Sequence, residues 1–277
     1  MTIGLTGKIA LNANINLEFS RGNLMSSYRG VKYYKPSTAT IGYFDSTNLN
    51  FSDFRGTQSS VIVNIAAFSV DTQNYTLNPA AVTGYVAGFT TVTVTINSGV
   101  YIGSSSTSTY ALTITGFVSG DTVNLINNGF IIGAGGNGGA SHSDAAGDAG
   151  SPGGNALLLQ CPVNITNNGT IAGGGGGGGA ADGGKTYGSC LGGGGAYTGQ
   201  GGGGGAGYNG GGAGSGDPNG SAGTKTAGGG GAGAGGGPGV AGATSGNGRA
   251  GGAAGKYIDG LSYANWIVTG TRLGGSS

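Results

Sequence analysis

Charge, proline, cysteine, histidine and long apolar runs are all scarce in this 277-residue chain, and each shortage closes off a class of protein. Only 8% of residues are charged and the net charge is +1. Neither a basic field to hold nucleic acid nor a cationic helix to lie on a membrane is present. Six prolines and unbroken glycine runs exclude a collagen triple helix, which needs glycine at every third position and abundant proline. Two cysteines, Cys161 and Cys190, make no disulfide framework. In a chain whose N-terminus lacks a basic segment and a continuous apolar core for export, they read as small free thiols made in the cytoplasm. No apolar run reaches transmembrane length, which argues against membrane insertion. His142 is the only histidine and no spacing among the ten acids favours a carboxylate pair. The composition therefore points away from an enzyme, and neither cofactor nor metal is expected.

What is abundant is glycine, and its distribution is lopsided. Residues 129–277 hold 58 of the 70 glycines, and no phenylalanine follows Phe130. Such a half cannot fill its interior with side chains, so the backbone must pack against itself. A flexible linker would carry no internal design, yet strand-like inserts such as ALLLQ (156–160) punctuate this half. The remaining state is a bundle of extended polyglycine II helices. Each rises about 3.1 Å per residue, and neighbours without side chains come close enough to bond amide to carbonyl. The glycine tracts near 133–140, 147–155, 172–180, 192–195, 201–205, 210–214, 227–239 and 246–255 are the expected rods.

An internal repeat supports order. VNLINNGFIIGAGGNGG (123–139) realigns with VNITNNGTIAGGGGGGG (163–179) at an offset of 40, and the NITNNGTI-type strands are expected to pair side by side. Two copies fall short of a solenoid, for which three or more are usual. A looser echo links 147–156 with 246–255.

The first half reads as ordinary all-β protein with essentially no α-helix. VIVNIAAF (61–68), TVTVTI (91–96), YALTIT (110–115) and DTVNLI (121–126) alternate at period two between turn signals, which predicts a small β-sandwich over residues 59–122. Residues 1–58 form a separate module rich in charge and aromatics. At under sixty residues it is expected to fold against a partner or another copy of itself, which leaves a homo-oligomer open. The glycine-rich domain then spans 123–277 and ends in a strand.

Motif matches inside the glycine half carry little. GAADGGKT (179–186) satisfies the phosphate-loop pattern, but it follows seven glycines and leads into YGSCLGGGG. No helix can form there to hold the anion, and the nucleotide reading is rejected. His142 with Asp144 in SHSDAAGD reads as a solvated turn ahead of a cation site. The polar loops between tracts are more informative. They carry His142, Asp144, Lys185, Tyr187, Tyr197, Tyr208, Asp217 and Asn219, a mixture of rigid tyrosines and small adaptable neighbours that suits recognition. The other reading of the tyrosines is that they cap the bundle.

Glycine tracts alternating with short loops resemble the tail-fibre tip adhesins of T-even-like bacteriophages. TGKIALNANINLEF (6–19) and NFSDFRGTQ (50–58) are similar to an N-terminal module common in phage tail proteins. VTINSGVYIGSSSTSTYALTITG (94–116), leading into NNGFIIGAGGNGG, is similar to the lead-in of glycine-rich tail proteins. The T-even adhesins differ in their fibre-docking N-terminal part. The resemblance implies a non-enzymatic virion protein held to other tail proteins through residues 1–58. Its loops would bind a bacterial surface receptor, an outer-membrane protein or polysaccharide. A purely structural virion or extracellular glycine-rich protein is the alternative.

Overall fold

The computed structural model describes residues 3–4, 9–139, 148–180, 233–246 and 249–277. Among the described residues the regular structure is mostly sheet, with one three-residue α-helix, α1 (Leu17–Phe19), continuing a π-helical turn at Leu11–Asn16, and four short 3-10 turns. It divides into two compact units, residues 1–64 with 82–92 and 117–122, and residues 65–81, 93–116 and 123–277.

The first unit owes its core to aromatic rings. Phe19, Tyr28, Phe44 and Phe54 are buried together with Ile3 and Ile15, and their rings meet mostly edge to face at 4.3–6.4 Å. The two ends of the N-terminal sequence motif are tied together, since Gly56 N donates to Ile3 O and Ile3 N to Thr57 O, both at 2.9 Å. Strands β1 (Lys32–Lys35) and β2 (Thr40–Tyr43) form an antiparallel hairpin. Residues 82–92 and 117–122 complete the unit around Asp121, whose carboxylate accepts from Tyr85 Oη, Phe89 N, Thr90 N and Val118 N.

The remaining strands make three parallel, five-stranded sheets, each taking one strand from every successive turn of the chain. The first sheet holds β3 (Val61–Asn64), β6 (Thr90–Ile96), β9 (Thr122–Asn127), β12 (Val163–Asn167) and β15 (Ala264–Val268). The second holds β4 (Thr72–Gln73), β7 (Tyr101–Gly103), β10 (Phe130–Ile132), β13 (Thr170–Ala172) and β16 (Thr271–Leu273). The third holds β5 (Tyr75–Leu77), β8 (Leu112–Ile114), β11 (Leu157–Leu159), β14 (Lys256–Asp259) and β17 (Gly275–Ser276). Like residues stack turn on turn. Ile102, Ile131 and Ile171 form one buried column, Leu112, Leu157 and Ile258 a second, and Leu77, Ile114 and Leu159 a third.

This corrects two expectations. The strands of 59–122 do not close a β-sandwich, because each is followed by a corner that passes the chain to the next sheet. Period-two alternation reports one buried face and says nothing of that choice. The three parallel sheets also form a solenoid, although only two copies of its repeat are visible. One stacked side-chain column, Thr93, Asn124, Asn164 and Asn265, explains why. Its members hydrogen-bond in series, yet lie 31, 40 and 101 residues apart, so no fixed period survives the insertions.

The repeat itself is a set of asparagine ladders, and its two copies do pair side by side in register. Asn127 Nδ2 donates to Asn167 Oδ1 at 2.7 Å, and Asn167 Nδ2 to Thr269 O and Thr271 O, with both asparagines fully buried at a corner. Asn168 bonds Asn128 outside that corner. The glycine after each pair is required by stacking, for a Cβ on Gly169 would fall on the carbonyl of Gly129. Cys161 is buried, with its Sγ 3.9 Å from Ile114 O, and Cys190 lies outside the described residues.

The last turn is pinned by Asp259, which accepts from Tyr110 Oη at 2.7 Å and from Ser277 Oγ. These donors hold its carboxyl below the usual range, the Ser277 hydroxyl first. A carboxylate so depressed stabilises the fold above its unfolded pKa and loses that contribution as pH falls through the folded value.

Two outcomes follow for thermal denaturation. Asn167→Ala removes the acceptor of the buried Asn127 Nδ2 and the donor to Thr269 O and Thr271 O and should cost roughly 1–3 kcal/mol, whereas Asn164→Ala on the solvent side should cost under about 1 kcal/mol. Asp259→Asn should lower Tm at neutral pH, and the gap to the parent should close as the pH is taken down through the acid range.

Candidate functional site

Both glycine-rich insertions leave the solenoid at the same corner, between the second and third sheets. Successive turns cross it with Asn74 alone, then residues 104–111, 133–156 and 173–255, and finally Gly274 alone. The glycine half is therefore a pair of insertions from two neighbouring turns, started in register by the paired strands β10 and β13. The hydroxyl-rich loop 104–111 lies beneath them. Ser104, fully buried, bonds Ser106 and Thr109, and a Cβ on Gly154 would meet Thr107 Cα at 2.8 Å.

The tracts run out from the corner and back in extended conformation, and their amides bond from tract to tract with a period of three. Gly133, Gly136 and Gly139 donate to Ala172, Gly175 and Gly178. Gly174, Gly177 and Ala180 donate to Gly154, Ser151 and Asp148, and Gly176 and Gly179 to Val240 and Ala243. In return Gly233, Gly236 and Gly239 donate to Gly179, Gly176 and Gly173, and Gly252 and Gly255 to Gly177 and Gly174. Tract 173–180 is thus a buried central rod bonded to five others, 133–139, 148–154, 233–239, 240–245 and 249–255. The outer rods also bond one another in sequence around it, as Ser151 to Asn137, Gly150 to Ala250, Gly242 to Gly252 and Ala243 to Ala234 show.

This packing states where glycine is compulsory. In the central rod a Cβ at any of residues 173–179 would land on a backbone carbonyl of a neighbour, Gly252 O for Gly176 and Asn137 O for Gly177. In an outer rod the constraint recurs at every third residue, as at Gly133, Gly136 and Gly139, where a Cβ would fall on the carbonyls of Gly154, Ser151 and Asp148 in the neighbouring rod, while Ala134 and Asn137 are tolerated between them; rod 249–255 adds Gly251 beside Gly252. Rod 240–245 has only Gly242 in that position, over Gly177 O, which is why counting glycines missed it. A glycine at every third position was the available signal.

Three connectors join the rods at the ends remote from the sheets. They are residues 140–147 between Gly139 and Asp148, residues 181–232 between Ala180 and Gly233, and residues 246–248, entered by a turn at Gly246. At that turn Ser245 N donates to Arg249 O, and Arg249 N to Ser245 Oγ. Rods 233–239 and 240–245 turn back at the near end, where Gly239, at φ +69°, sits against Leu273. All eight residues expected to touch a receptor, His142, Asp144, Lys185, Tyr187, Tyr197, Tyr208, Asp217 and Asn219, fall within 140–147 and 181–232, outside the described residues. Among the described residues no group of His, Cys, Asp and Glu is arranged to hold a metal, and no helix is long and apolar enough to cross a membrane.

Residues 60–277 match the family described as phage tail fibre adhesin Gp38, and the chain belongs to it. The fold is also similar to that in the crystal structure of the gp37-gp38 adhesin tip complex of the bacteriophage S16 long tail fiber. The TM-score there is 0.51 at 22% identity, over 84% of this chain and 89% of that one. No curated protein matches. Family membership makes the chain a virion component of the tail with an adhesin role.

Two glycines should separate packing from simple glycine content. Gly176→Ala places its methyl on the Gly252 carbonyl and should cost at least ~3 kcal/mol or prevent folding. Gly237→Ala, with nothing within 4 Å of the added carbon, should melt within about 1 kcal/mol of the parent.

Proposed function

We propose that this adhesin binds a bacterial surface receptor, an outer-membrane protein or surface polysaccharide, through the connectors at the far end of a polyglycine II bundle. The period-three hydrogen bonding around rod 173–180 carries this reading, for it is the repeat of a three-residue helix in a hexagonal lattice. Going round that rod, its neighbours take alternately its carbonyls and its amides. The alternation leaves one amide row, Gly175 and Gly178, without a partner among the described residues, facing between rods 133–139 and 233–239.

A rigid rod bundle holds short loops in fixed positions, which lowers the entropy lost on binding. Eight residues at about 3.1 Å each reach roughly 25 Å, enough to carry the connectors clear of the sheets. Attachment by shape, hydrogen bonds and tyrosine contacts needs no reaction, and no enzymatic step is part of the proposal. Residues 1–58 would hold the protein to another tail protein. The similarity to an adhesin in complex with a fibre protein supports this, as does the separate aromatic core of that module.

Tyr187→Ala should weaken binding of the purified protein to intact host cells by roughly 1–3 kcal/mol with Tm unchanged. If Tyr187→Ala and a serine-glycine replacement of residues 141–146 both bind normally, that face is not the tip and the loops around Tyr197, Tyr208, Asp217 and Asn219 become the test. Exchange of connectors 140–147 and 181–232 with those of a phage of different host range should transfer host binding. Unchanged binding would make the rods purely structural.

A further inference from the structure

Among the described residues, no strand pairs with the outer edge of β2 in the hairpin of the N-terminal unit. Tyr34 exchanges both backbone hydrogen bonds with Gln58, 2.9 Å each way, so its amide and carbonyl point away from β2. Tyr34 faces Ile41 across the hairpin and Lys32 faces Tyr43, while Tyr33 faces Gly42. In an antiparallel pair the facing residues alternate between bonded and unbonded. Ile41 and Tyr43 are therefore the unbonded ones, and their N–H and C=O groups point outward along the free edge of β2. Their side chains are exposed as well, Ile41 at 41% and Tyr43 at 68%. On the β1 side the same face is covered, since Tyr34 packs on Phe89 and Lys32 Nζ reaches Gly88 O and lies 5.1 Å from the Phe89 ring. The edge carries none of the usual protection. There is no proline or charge within β2, and Gly42 offers no side chain to block an approaching backbone.

Charge says what would pair there. Residues 1–58 hold six basic side chains, Lys8, Arg21, Arg29, Lys32, Lys35 and Arg55, against the acids Glu18, Asp45 and Asp53, a net +3. The whole chain is only +1, so the other residues sum to −2. Of the acids, Glu18 is turned inward onto Ser59 and Asp45 onto Thr47 and Asn48. A second copy of this module would bring like charge to the seam, whereas an acidic segment would be attracted to it.

We propose that the β2 edge accepts an extended strand of another virion protein. That strand carries acidic residues and sets apolar side chains beside Ile41 and Tyr43, in the manner of β-strand addition. The proposal rests on the reading that residues 1–58 anchor the adhesin.

Proline tests it cleanly, because the Ile41 and Tyr43 amides serve no bond within the hairpin. Phage particles grown with only an Ile41→Pro or Tyr43→Pro adhesin should carry fewer copies of it by roughly tenfold or more, counted by quantitative mass spectrometry. The purified full-length variants should melt as the parent does. Tyr43→Glu should reduce incorporation more than Tyr43→Lys, and this pair keeps the test valid should either proline variant misfold. Normal incorporation of folded Ile41→Pro and Tyr43→Pro would overturn the proposal, as would the reverse order of the two charge variants. If light scattering showed a parent dimer that Ile41→Pro converts to monomer, the occupant would be a second copy and the foreign strand would be ruled out. Deleting residues 1–58 separates the two levels. Normal incorporation of the deletion removes the anchoring reading itself, while its loss beside normal incorporation of the proline variants removes only the β2 edge.

Discussion

Close approach of backbone to backbone, possible only where no Cβ intervenes, is the constraint on which the glycine half depends. The central rod meets it at seven consecutive glycines and its neighbours at every third residue. Glycine loses more backbone entropy on folding than any other residue. Amide-to-carbonyl bonds must offset that loss, and each rod makes them with several neighbours in place of the two a strand would have. Fibre-like packing of this kind has no apolar interior to nucleate it. The solenoid supplies the nucleus, because β10 and β13 lie in register and launch two rods side by side with their bonding already begun.

The solenoid is suited to that task by its own regularity. Ile, Leu and Val columns fill the interior, and asparagine ladders hold the corner next to the insertions by bonding turn to turn. Buried amides in a ladder satisfy one another and the carbonyls above, so the corner tolerates no slippage of one turn past the next. Insertions of very different length can then grow from the neighbouring corner without disturbing the stack, which is how 24 residues and 83 residues arise on adjacent turns.

Much of this was legible in the residues, and what was not has physical causes. The strand pairing of 123–127 with 163–167 followed from the repeated Val-Asn-x-x-Asn-Asn-Gly, since stacked corners demand the same residues. The remaining turns were invisible because Thr93 and Asn265 occupy the column that Asn124 and Asn164 reveal, at offsets an alignment at fixed period cannot find. Sandwich and solenoid share the same alternation, and only the corners distinguish them. Rod 240–245 was missed because its inward face needs a single glycine. The residues expected to touch a receptor follow from their chemistry alone, and all of them lie outside the described residues.

Amide hydrogen exchange of the intact protein, resolved to the glycine tracts, tests the central claim most directly. If backbone packing holds the rods, residues 173–180 will exchange as slowly as strands β12 and β13, with the outer rods less protected at their exposed faces. Exchange of 173–180 at the rate of an unstructured glycine peptide, while β12 and β13 remain protected, would contradict the account.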